Sequence, residues 1–332
     1  SLALPCTLRE QIVNDPYWTP MARHADIVLP STVSMEREDI GGANNDSLIV
    51  AMKAAVPVNA EARDDYDIYA AIAERMGLGE KFTEGKTSNE WVRDIYESWR
   101  QRIVTKWADA PPYDQLLEDG FVELPYLAKP CVMLEEFRAN PTGHPLGTPS
   151  GKIEIFSRTI ESFGYEDCRG HARWYEPDEW LGTATADYPL QLVANNPSTR
   201  LHSQLDIGEG SQASKIHGRE PMRIHPTDAE ARGISHGDVV RVFNDRGALL
   251  AGVIVSDQVR PQCVQLSTGA WFDPVETDDG KPFCIHGNPN VLTRDKGTSS
   301  LGQGCTGQHA MVQVEKWTAD LPPITAYDPP ST

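Results

Sequence analysis

Short apolar runs that end at turn-forming residues mark the beginning of the chain. Residues 11–13 form one such run before an Asn-Asp-Pro turn, and residues 26–29 form a second run that stops at a proline. Such runs are typical of buried parallel strands, which place ligand sites at their carboxyl ends. Apolar residues at every fourth position then predict a helix over 64–76, and the capping-box pair Thr87 and Glu90 predicts the start of another.

The periodicity weakens over residues 111–186, where proline, glycine and charged residues interrupt it. Only residues 152–156, Lys-Ile-Glu-Ile-Phe, alternate as a strand does. We therefore expect an irregular connecting region that wraps over the first domain.

From Tyr188 onward the pattern changes to closely spaced strands. A short helix with a threonine N-cap is predicted over 227–233, and Asn-Asp-Arg-Gly at 244–247 predicts a hairpin turn. This order of elements predicts a small closed β-barrel. The strand-like runs are residues 190–193, 222–224, 239–243, 249–255 and 312–314.

These patterns together predict an α/β fold followed by an all-β fold. The expected division is an α/β segment over residues 1–110, an irregular connecting region over 111–186 and an all-β domain over 187–332.

The charge balance excludes several classes of partner. The chain has 332 residues, with 48 acidic and 30 basic side chains and a formal net charge of −18. Such a surface repels nucleic acid and anionic membranes, so neither is expected as a partner. The longest apolar stretch, residues 247–255, is far shorter than the roughly 20 residues of a membrane span. Neither an initiator Met nor a signal peptide is visible, and we expect a processed product, an engineered piece or a fragment.

The cysteines favour free thiols over a metal site or a disulfide framework. Six of them are scattered along the chain, and no Cys-x-x-Cys pair occurs. Zinc sites and iron–sulfur clusters commonly use such pairs, so neither is expected. Because disulfides are rare in reducing compartments, unpaired cysteines favour the cytoplasm, with the periplasm left open.

Three polar loops carry the candidate chemistry: loop A (residues 195–204), loop B (286–293) and loop C (297–308). Loop A follows a predicted strand, and loop C combines glycines with a row of amide and hydroxyl groups. Such loops present N–H groups to anions or heterocycles. By sequence alone, however, an ordinary surface loop is favoured for loop A, and loop C is equally a flexible linker. If they bind one flat heterocycle, they should line one groove at one end of the barrel.

No catalytic constellation emerges from the residue spacing. There is no Gly-x-Ser-x-Gly elbow, no phosphate-loop lysine after the glycines at 208–210 and no His-x-x-x-His pair. Spacing alone therefore indicates a two-domain binding protein for a polar, nucleotide-like ligand.

Four further segments are informative through their order. They are residues 17–30 (Tyr-Trp-Thr-Pro-Met-Ala-Arg-His-Ala-Asp-Ile-Val-Leu-Pro), 62–68 (Ala-Arg-Asp-Asp-Tyr-Asp-Ile), 200–204 (Arg-Leu-His-Ser-Gln) and 290–308. In this order and spacing they resemble the dimethyl sulfoxide reductase family of molybdopterin oxidoreductases. Ser-Gln-Ala-Ser-Lys at 211–215 and Gly-Cys-Thr-Gly-Gln at 304–308 are most similar to biotin sulfoxide and trimethylamine N-oxide reductases.

The resemblance implies the fold and the chemistry. It implies a partial Rossmann-like parallel-sheet domain followed by a double-psi β-barrel, and two molybdopterin guanine dinucleotides around one molybdenum. It also implies reduction of S-oxides or N-oxides (biotin, methionine or dimethyl sulfoxide, or trimethylamine N-oxide) by oxygen-atom transfer. The family's serine ligand to molybdenum and its first two domains lie upstream of such a segment, so the chain alone is expected to be inactive.

The resemblance also implies cofactor-binding residues. It places Asn14 and Asp15 where the family binds one guanosine. Asp65 falls where a carboxylate accepts the two donors on the guanine edge, and Arg37 falls at a basic contact position. Contacts to the other dinucleotide and to the pterins fall on Asn196, Arg200, His202, Ser203, Gln204, Trp271, Asn290 and Gln308. No catalytic residue and no metal ligand is expected in this chain.

Two of these assignments have structural alternatives. Asp65 is equally a helix N-cap by sequence, since aspartate is among the preferred capping residues. Trp271 is equally a core residue, because a large aromatic ring dominates burial wherever it lies.

Two other functions compete with the enzyme. One is a non-catalytic molybdopterin-binding or adaptor module without the metal site, and the other is a double-psi barrel of another lineage, such as a decarboxylase. The α/β pattern at the beginning of the chain speaks against the second. The expected partners are the N-terminal domains of the parent enzyme, a small S-oxide or N-oxide and an electron donor.

Overall fold

The computed structural model describes residues 10–43, 46–104, 110–124, 132–304 and 306–330. The chain divides into two compact units, one ending at Arg138 and the other beginning at Ala139. We call them the α/β unit and the barrel unit. Among the described residues, no helix is long and apolar enough to cross a membrane.

The α/β unit begins with two parallel strands. The strands β1 (Ile12–Asp15) and β2 (Ile27–Pro30) pair in parallel, which confirms the predicted pairing. The predicted burial is wrong, because Ile12 and Ile27 are 55% and 45% exposed. The short helix α1 (Pro20–Arg23) lies between them in sequence, and its N-cap Thr19 accepts the N–H of Ala22. This connection places the carboxyl ends of both strands at one edge.

A three-stranded antiparallel sheet in this unit is absent from the sequence-based predictions. It consists of β3 (Asp39–Gly42), β4 (Leu48–Met52) and β5 (Phe121–Glu123), in that order. The first strand has one apolar side chain, and the last pairs with a strand far away in sequence. Neither therefore produces a local alternating pattern.

Four further helices follow in the α/β unit before residue 135: α2 (Asp65–Arg75), α3 (Gly79–Thr83), α4 (Ser88–Val104) and α5 (Tyr113–Asp119). The predicted helices correspond to α2 and α4. The capping box before α4 is confirmed, because Thr87 N–H donates to Glu90 Oε2 at 2.7 Å and Glu90 N–H donates to Thr87 Oγ1 at 3.3 Å.

The predicted connecting region of 111–186 begins too early, because α5 and β5 lie within it and belong to the α/β unit. Beyond them it contains two short helices, α6 (Glu135–Ala139) and α7 (Arg158–Ser162). The predicted strand at residues 152–156 is wrong. These residues pair with no strand in the described part of the chain, and Ile153 and Ile155 are 65% and 86% exposed. An alternating pattern becomes a strand only when a partner strand covers its apolar face.

Six strands of the barrel unit close into a ring, which confirms the predicted closed barrel, although β10 was not among the five predicted strands. The six are β6 (Leu190–Val193), β7 (Pro221–Ile224), β8 (Val239–Phe243), β9 (Ala248–Val255), β10 (Cys263–Leu266) and β13 (His309–Lys316). Their order around the barrel is β6–β10–β7–β9–β8–β13 and back to β6. The pairs β6–β10 and β7–β9 are parallel, and the others are antiparallel. A short hairpin of β11 (Pro274–Val275) and β12 (Phe283–Cys284) extends the sheet from β9.

The barrel core is aliphatic and continuous. Leu192, Met222, Ile224, Leu249 and Leu266 have no exposed surface, and they belong to one buried cluster. Burial at about 25 cal/mol per Å² of apolar surface makes this cluster the main stabilising contribution to the unit.

Two short helices decorate the barrel, α8 (Glu209–Ala213) and α9 (Pro226–Glu230). The predicted threonine cap is wrong, since His225 is the N-cap of α9 and its Nδ1 accepts the N–H of Thr227 at 3.3 Å. The hairpin at residues 244–247 is confirmed, because it joins antiparallel β8 and β9 and Asn244 N–H donates to the carbonyl of Gly247 at 3.1 Å.

Candidate functional site

The polar loops lie at one end of the barrel, because the strands that they follow or precede end or begin there. The parallel strands β6 and β10 finish at the same end, and antiparallel β13 starts there. Loop A therefore leaves the barrel where loop C enters it, and Ala194 N–H donates to the carbonyl of Gln308 at 2.8 Å. The segment after β10 joins them, since Thr268 N–H donates to the carbonyl of Asn195 at 2.8 Å.

Loop B reaches the same end. Asn288 Nδ2 donates to the carbonyl of Ala270 at 2.9 Å, and Glu220 N–H donates to the carbonyl of His286 at 3.1 Å. The predicted convergence of the three loops at one barrel end is thus confirmed.

Loops B and C line a shared cavity of about 530 Å³. Its walls are made of amide and hydroxyl side chains, glycine backbone and two cations, Arg294 and Lys296. Loop A reaches the same barrel end but does not line this cavity, so the prediction that all three loops line one groove is wrong for loop A. The lining residues are Asn290, Thr293, Arg294, Asp295, Lys296, Gly297, Gln303, Gly304, Thr306 and Gly307.

Asp178 sets the electrostatics beside this cavity. Its Oδ2 lies 2.9 Å from Arg294 Nη1 and 2.6 Å from Lys296 Nζ. The hydrogen bond from Lys296 lowers the pKa of the Asp178 carboxyl, which stays ionised and orients both cations. These two cations have no distinguishing sequence motif, and sequence reasoning missed them.

The Arg200 side chain is committed to the protein. It is 1% exposed and makes four hydrogen bonds. The acceptors are the carbonyls of His202 and Thr268, the hydroxyl of Ser211 and the carboxylate of Glu220. Arg200 was expected to contact the ligand, but its guanidinium instead forms hydrogen bonds inside the protein that stabilise loop A.

Trp271 likewise faces the interior. The residue is 4% exposed, and its Nε1–H donates to the carbonyl of Ser203 at 2.8 Å. Its ring also packs edge-on against Tyr327, with centroids 5.5 Å apart. The structure therefore favours the core interpretation, in which Trp271 supports loop A from below.

The backbone is bent at two left-handed residues, His202 (φ 51°) within loop A and Leu205 (φ 54°) directly after it. Gly269 allows this path, because a Cβ there would lie 1.9 Å from the carbonyl oxygen of His202 and because its φ is +91°. The loop therefore has a defined shape, which argues against an ordinary flexible surface loop.

The remaining predicted residues of the barrel unit are exposed, and within the described chain their side chains make no hydrogen bond. They share one barrel end, and their free amide, hydroxyl and imidazole groups remain available to a ligand. These residues are Asn196, His202, Ser203, Gln204, Asn290 and Gln308.

In the α/β unit, the predicted guanosine residues come together at the end of β1. Asn14 Nδ2 donates to Asp65 Oδ1 at 3.2 Å, across 51 residues of sequence. Asp15 instead holds the following turn, since its carboxylate accepts the Thr19 hydroxyl at 2.7 Å and the Tyr17 N–H at 3.2 Å. Asn14 and Asp65 thus form a small polar pair at the carboxyl end of a parallel strand.

The N-cap alternative for Asp65 is wrong. Asp64 occupies the N-cap of α2, and Asp65 is the first helical residue with an exposed side chain. Asp64 accepts the Thr32 hydroxyl at 2.7 Å, and Arg37 donates to the Thr32 carbonyl at 3.2 Å. Arg37 is therefore linked to the α2 start through Thr32, and it has no direct contact with Asp65 among the bonds described.

No metal-binding group was found in the described residues, where no three His, Cys, Asp or Glu side chains are placed to hold an ion. Three cysteines are described and are free thiols, namely Cys168, Cys263 and Cys284. Cys6, Cys131 and Cys305 lie outside the described residues.

Comparison with known proteins identifies the class. Residues 190–311 match the molydopterin dinucleotide binding domain, and residues 9–75 match molybdopterin oxidoreductase. The chain belongs to the molybdopterin oxidoreductase family, which confirms the resemblance found in the sequence.

Similar proteins are reductases. The chain is 46% identical to a dimethyl sulfoxide/trimethylamine N-oxide reductase of Cereibacter sphaeroides, over 96% of this chain and 39% of that protein. It is 44% identical to a trimethylamine-N-oxide reductase of Haemophilus influenzae, over 96% of this chain and 39% of that protein. A biotin sulfoxide reductase of Cereibacter sphaeroides is 41% identical over 93% of this chain and 41% of its own length. The chain thus spans about two fifths of these relatives.

Among solved structures, acetylene hydratase from Pelobacter acetylenicus is similar in fold. The TM-score is 0.66 at 19% identity, over 92% of this chain and 40% of that chain. At this identity the likeness concerns the fold alone.

Proposed function

We propose that this chain is the cofactor-binding portion of a bis-molybdopterin guanine dinucleotide oxidoreductase. The intact enzyme would reduce S-oxides or N-oxides, such as dimethyl sulfoxide, trimethylamine N-oxide or biotin sulfoxide. The observation that carries the proposal is the gathering of loops A, B and C at one barrel end, with a polar cavity between loops B and C.

The donor set fits a pterin dinucleotide. A flat heterocycle with many donors and acceptors needs amide and hydroxyl partners, and phosphates favour cations and exposed backbone N–H groups. Loops B and C supply these through Asn290, Thr293, Lys296 and Thr306. The exposed side chains of loop A and Gln308 extend the same surface.

A second part of the site lies in the α/β unit. The Asp65 carboxylate suits the edge of guanine, where N1–H and N2–H₂ are two adjacent donors. Asn14 would orient the carboxylate through their 3.2 Å hydrogen bond. The α/β unit would thus hold one guanosine, and the barrel unit the other dinucleotide and the pterins.

When bound, the molybdenum cofactor supplies the two-electron chemistry that removes oxygen from the oxide. The overall change consumes two electrons and two protons and releases water and the reduced substrate. The residues of this chain bind and orient the dinucleotides and exclude water from them. The metal ligand and the electron donor are proposed to come from other parts of the enzyme or its partners.

Within this proposal, the β1–β2 pair belongs to a Rossmann-like domain whose predicted range of 1–110 is extended by α5 and β5. The residues from there to 186 connect it to a double-psi barrel over 187–332. The parallel pairs β6–β10 and β7–β9 inside a mostly antiparallel ring support the double-psi topology. Free thiols at the described cysteines support a cytoplasmic location.

The test is purification of the full-length protein that contains this chain. We expect fluorescent oxidised pterin, GMP after hydrolysis and molybdenum, at two pterins per metal, together with reduction of at least one of the three oxides by a dye donor. Pterin without oxide reduction or molybdenum would favour the non-catalytic binding module. Absence of pterin would refute both.

A further inference from the structure

A buried charge cluster lies beneath loop A. It consists of Arg200, Asp206, Lys215 and Glu220, whose side chains are at most 2% exposed. Lys215 Nζ lies 2.9 Å from carboxylate oxygens of both Asp206 and Glu220, and Arg200 lies 3.3 Å and 3.1 Å from the same two groups. Two cations balance two anions, so the cluster is neutral as a whole.

Buried ion pairs contribute little net stability, because desolvation opposes their attraction. The groups of this cluster also make hydrogen bonds that constrain the nearby backbone. Here the constrained backbone is that of loop A. Arg200 Nε–H donates to the carbonyl of His202 at 3.0 Å, and Asp206 accepts the backbone N–H of Trp271 at 2.9 Å. The left-handed turns at His202 and Leu205 are therefore held from inside, while the side chains of residues 202–204 remain exposed.

Tyr327, near the C-terminus, makes a further contact beneath loop A. The Tyr327 hydroxyl lies 3.1 Å from the carbonyl of Asp206 and 3.1 Å from His286 Nε2. His286 Nδ1 lies 2.9 Å from the carbonyl of Trp271, so Nδ1 carries the ring proton and Nε2 is an acceptor. The single proton of the Tyr327 hydroxyl is then shared between His286 Nε2 and the Asp206 carbonyl. Burial raises the pKa of Tyr327, and burial with the Lys215 ammonium lowers the pKa of His286 to about 4. At neutral pH the tyrosine hydroxyl is therefore a donor and the imidazole is uncharged.

The segment that carries Tyr327 is held in place two residues earlier, at Thr325. Thr325 donates its N–H and its hydroxyl to Asp273 at 2.7 Å and 2.6 Å. Tyr327 therefore contacts the Asp206 carbonyl from an ordered segment, because Thr325 is hydrogen-bonded to Asp273.

We propose that Tyr327 and the buried charge cluster are positioning elements for loop A, which set its affinity for the pterin dinucleotide without touching the ligand. The inference rests on the proposed function, because it needs loop A to bind that cofactor. If these residues had only a general stabilising role, removing their contacts would destabilise the whole barrel. Loop A and its ligand would then be affected no more than the other parts of the barrel.

The experiment compares Tyr327→Phe with Tyr188→Phe in the full-length enzyme. Both changes remove one phenol hydroxyl, but that of Tyr188 donates to Asp245 Oδ1 at 2.6 Å and to no atom of loop A. The readouts are the rate of pterin release, hydrogen exchange of a peptide spanning 199–206 against one spanning 239–243, and the melting temperature of the cofactor-free protein.

For Tyr327→Phe we expect pterin release at least tenfold faster than in Tyr188→Phe and faster exchange confined to the 199–206 peptide, with similar melting temperatures. Equal release and exchange in the two variants, with pterin present, would overturn this inference alone. A lower melting temperature with faster exchange in both peptides would also overturn it, in favour of general stabilisation. Absence of pterin from the unmodified enzyme would overturn the proposed function and this inference with it.

Discussion

Replacing Asp65 by Asn tests the guanine site with a minimal change in shape. Asp65 is exposed and is the first residue of α2, where it accepts a hydrogen bond from Asn14. Its carboxylate can accept from both donors of the guanine edge, whereas an amide offers one acceptor and turns a donor toward N2–H₂. We therefore expect much weaker retention of the dinucleotide with little change in stability.

The magnitude follows from the groups involved. Losing a charge-assisted pair and creating a donor–donor mismatch costs roughly 2–4 kcal/mol, which corresponds to roughly 30- to 800-fold weaker binding. The loss of one negative charge at a helix start costs only about 0.3–1 kcal/mol of folding stability. Because Asp64 occupies the N-cap position, where its side chain makes no capping hydrogen bond, the substitution at Asp65 removes no helix cap.

A matched control is Asp67→Asn, since Asp67 is also an exposed acid in the first turn of the same helix. Pterin and GMP content per full-length protein and the melting temperature should be measured for both variants. Similar small changes in melting temperature are expected, with cofactor loss in Asp65→Asn only. Equal cofactor content in the two variants would refute the guanine assignment.

Two further predictions concern the barrel unit. The pKa of His286 is lowered to about 4 in the folded protein. Between pH 4 and 6.5 the unfolded chain therefore binds more protons than the folded one. The contribution of neutral His286 to the free energy of unfolding should be complete above pH 6.5 and decrease by about 3 kcal/mol as the pH falls to 4. Denaturant titrations of wild type and His286→Gln check this, and identical pH slopes would contradict it. Gly269→Ala should destabilise the unit by about 3 kcal/mol, because its φ is +91° and a Cβ would lie 1.9 Å from the His202 carbonyl. Gly302→Ala is the control, since open space surrounds that position; equal melting temperatures of the two variants would show that the close approach has no energetic consequence.

Local patterns predicted the elements whose stabilising contacts repeat along the chain. A few adjacent residues are enough to predict β1 and β2, the capping box before α4 and the hairpin between β8 and β9. The family resemblance located the cofactor loops, because those segments keep their order and spacing. The convergence of loops A, B and C followed from the idea that one ligand needs several loops.

Tertiary pairing decided what those patterns could not. Residues 152–156 alternate like a strand but meet no partner strand among the described residues, whereas β5 is formed because β4 is there to pair with it. A strand depends on a neighbour that sequence spacing does not specify.

The same reason explains the reassigned site residues. Arg200 and Trp271 are polar or aromatic residues near a predicted ligand, but burial and their partners direct both side chains into the protein. The buried charges at Asp206 and Glu220 were invisible in the sequence, because nothing local distinguishes a paired interior carboxylate from a solvated one. The amino-acid sequence determined which loops bear donors and acceptors. The folded chain decided which of those groups are satisfied internally and which remain free for a ligand, because hydrogen-bond partners come from residues distant in sequence.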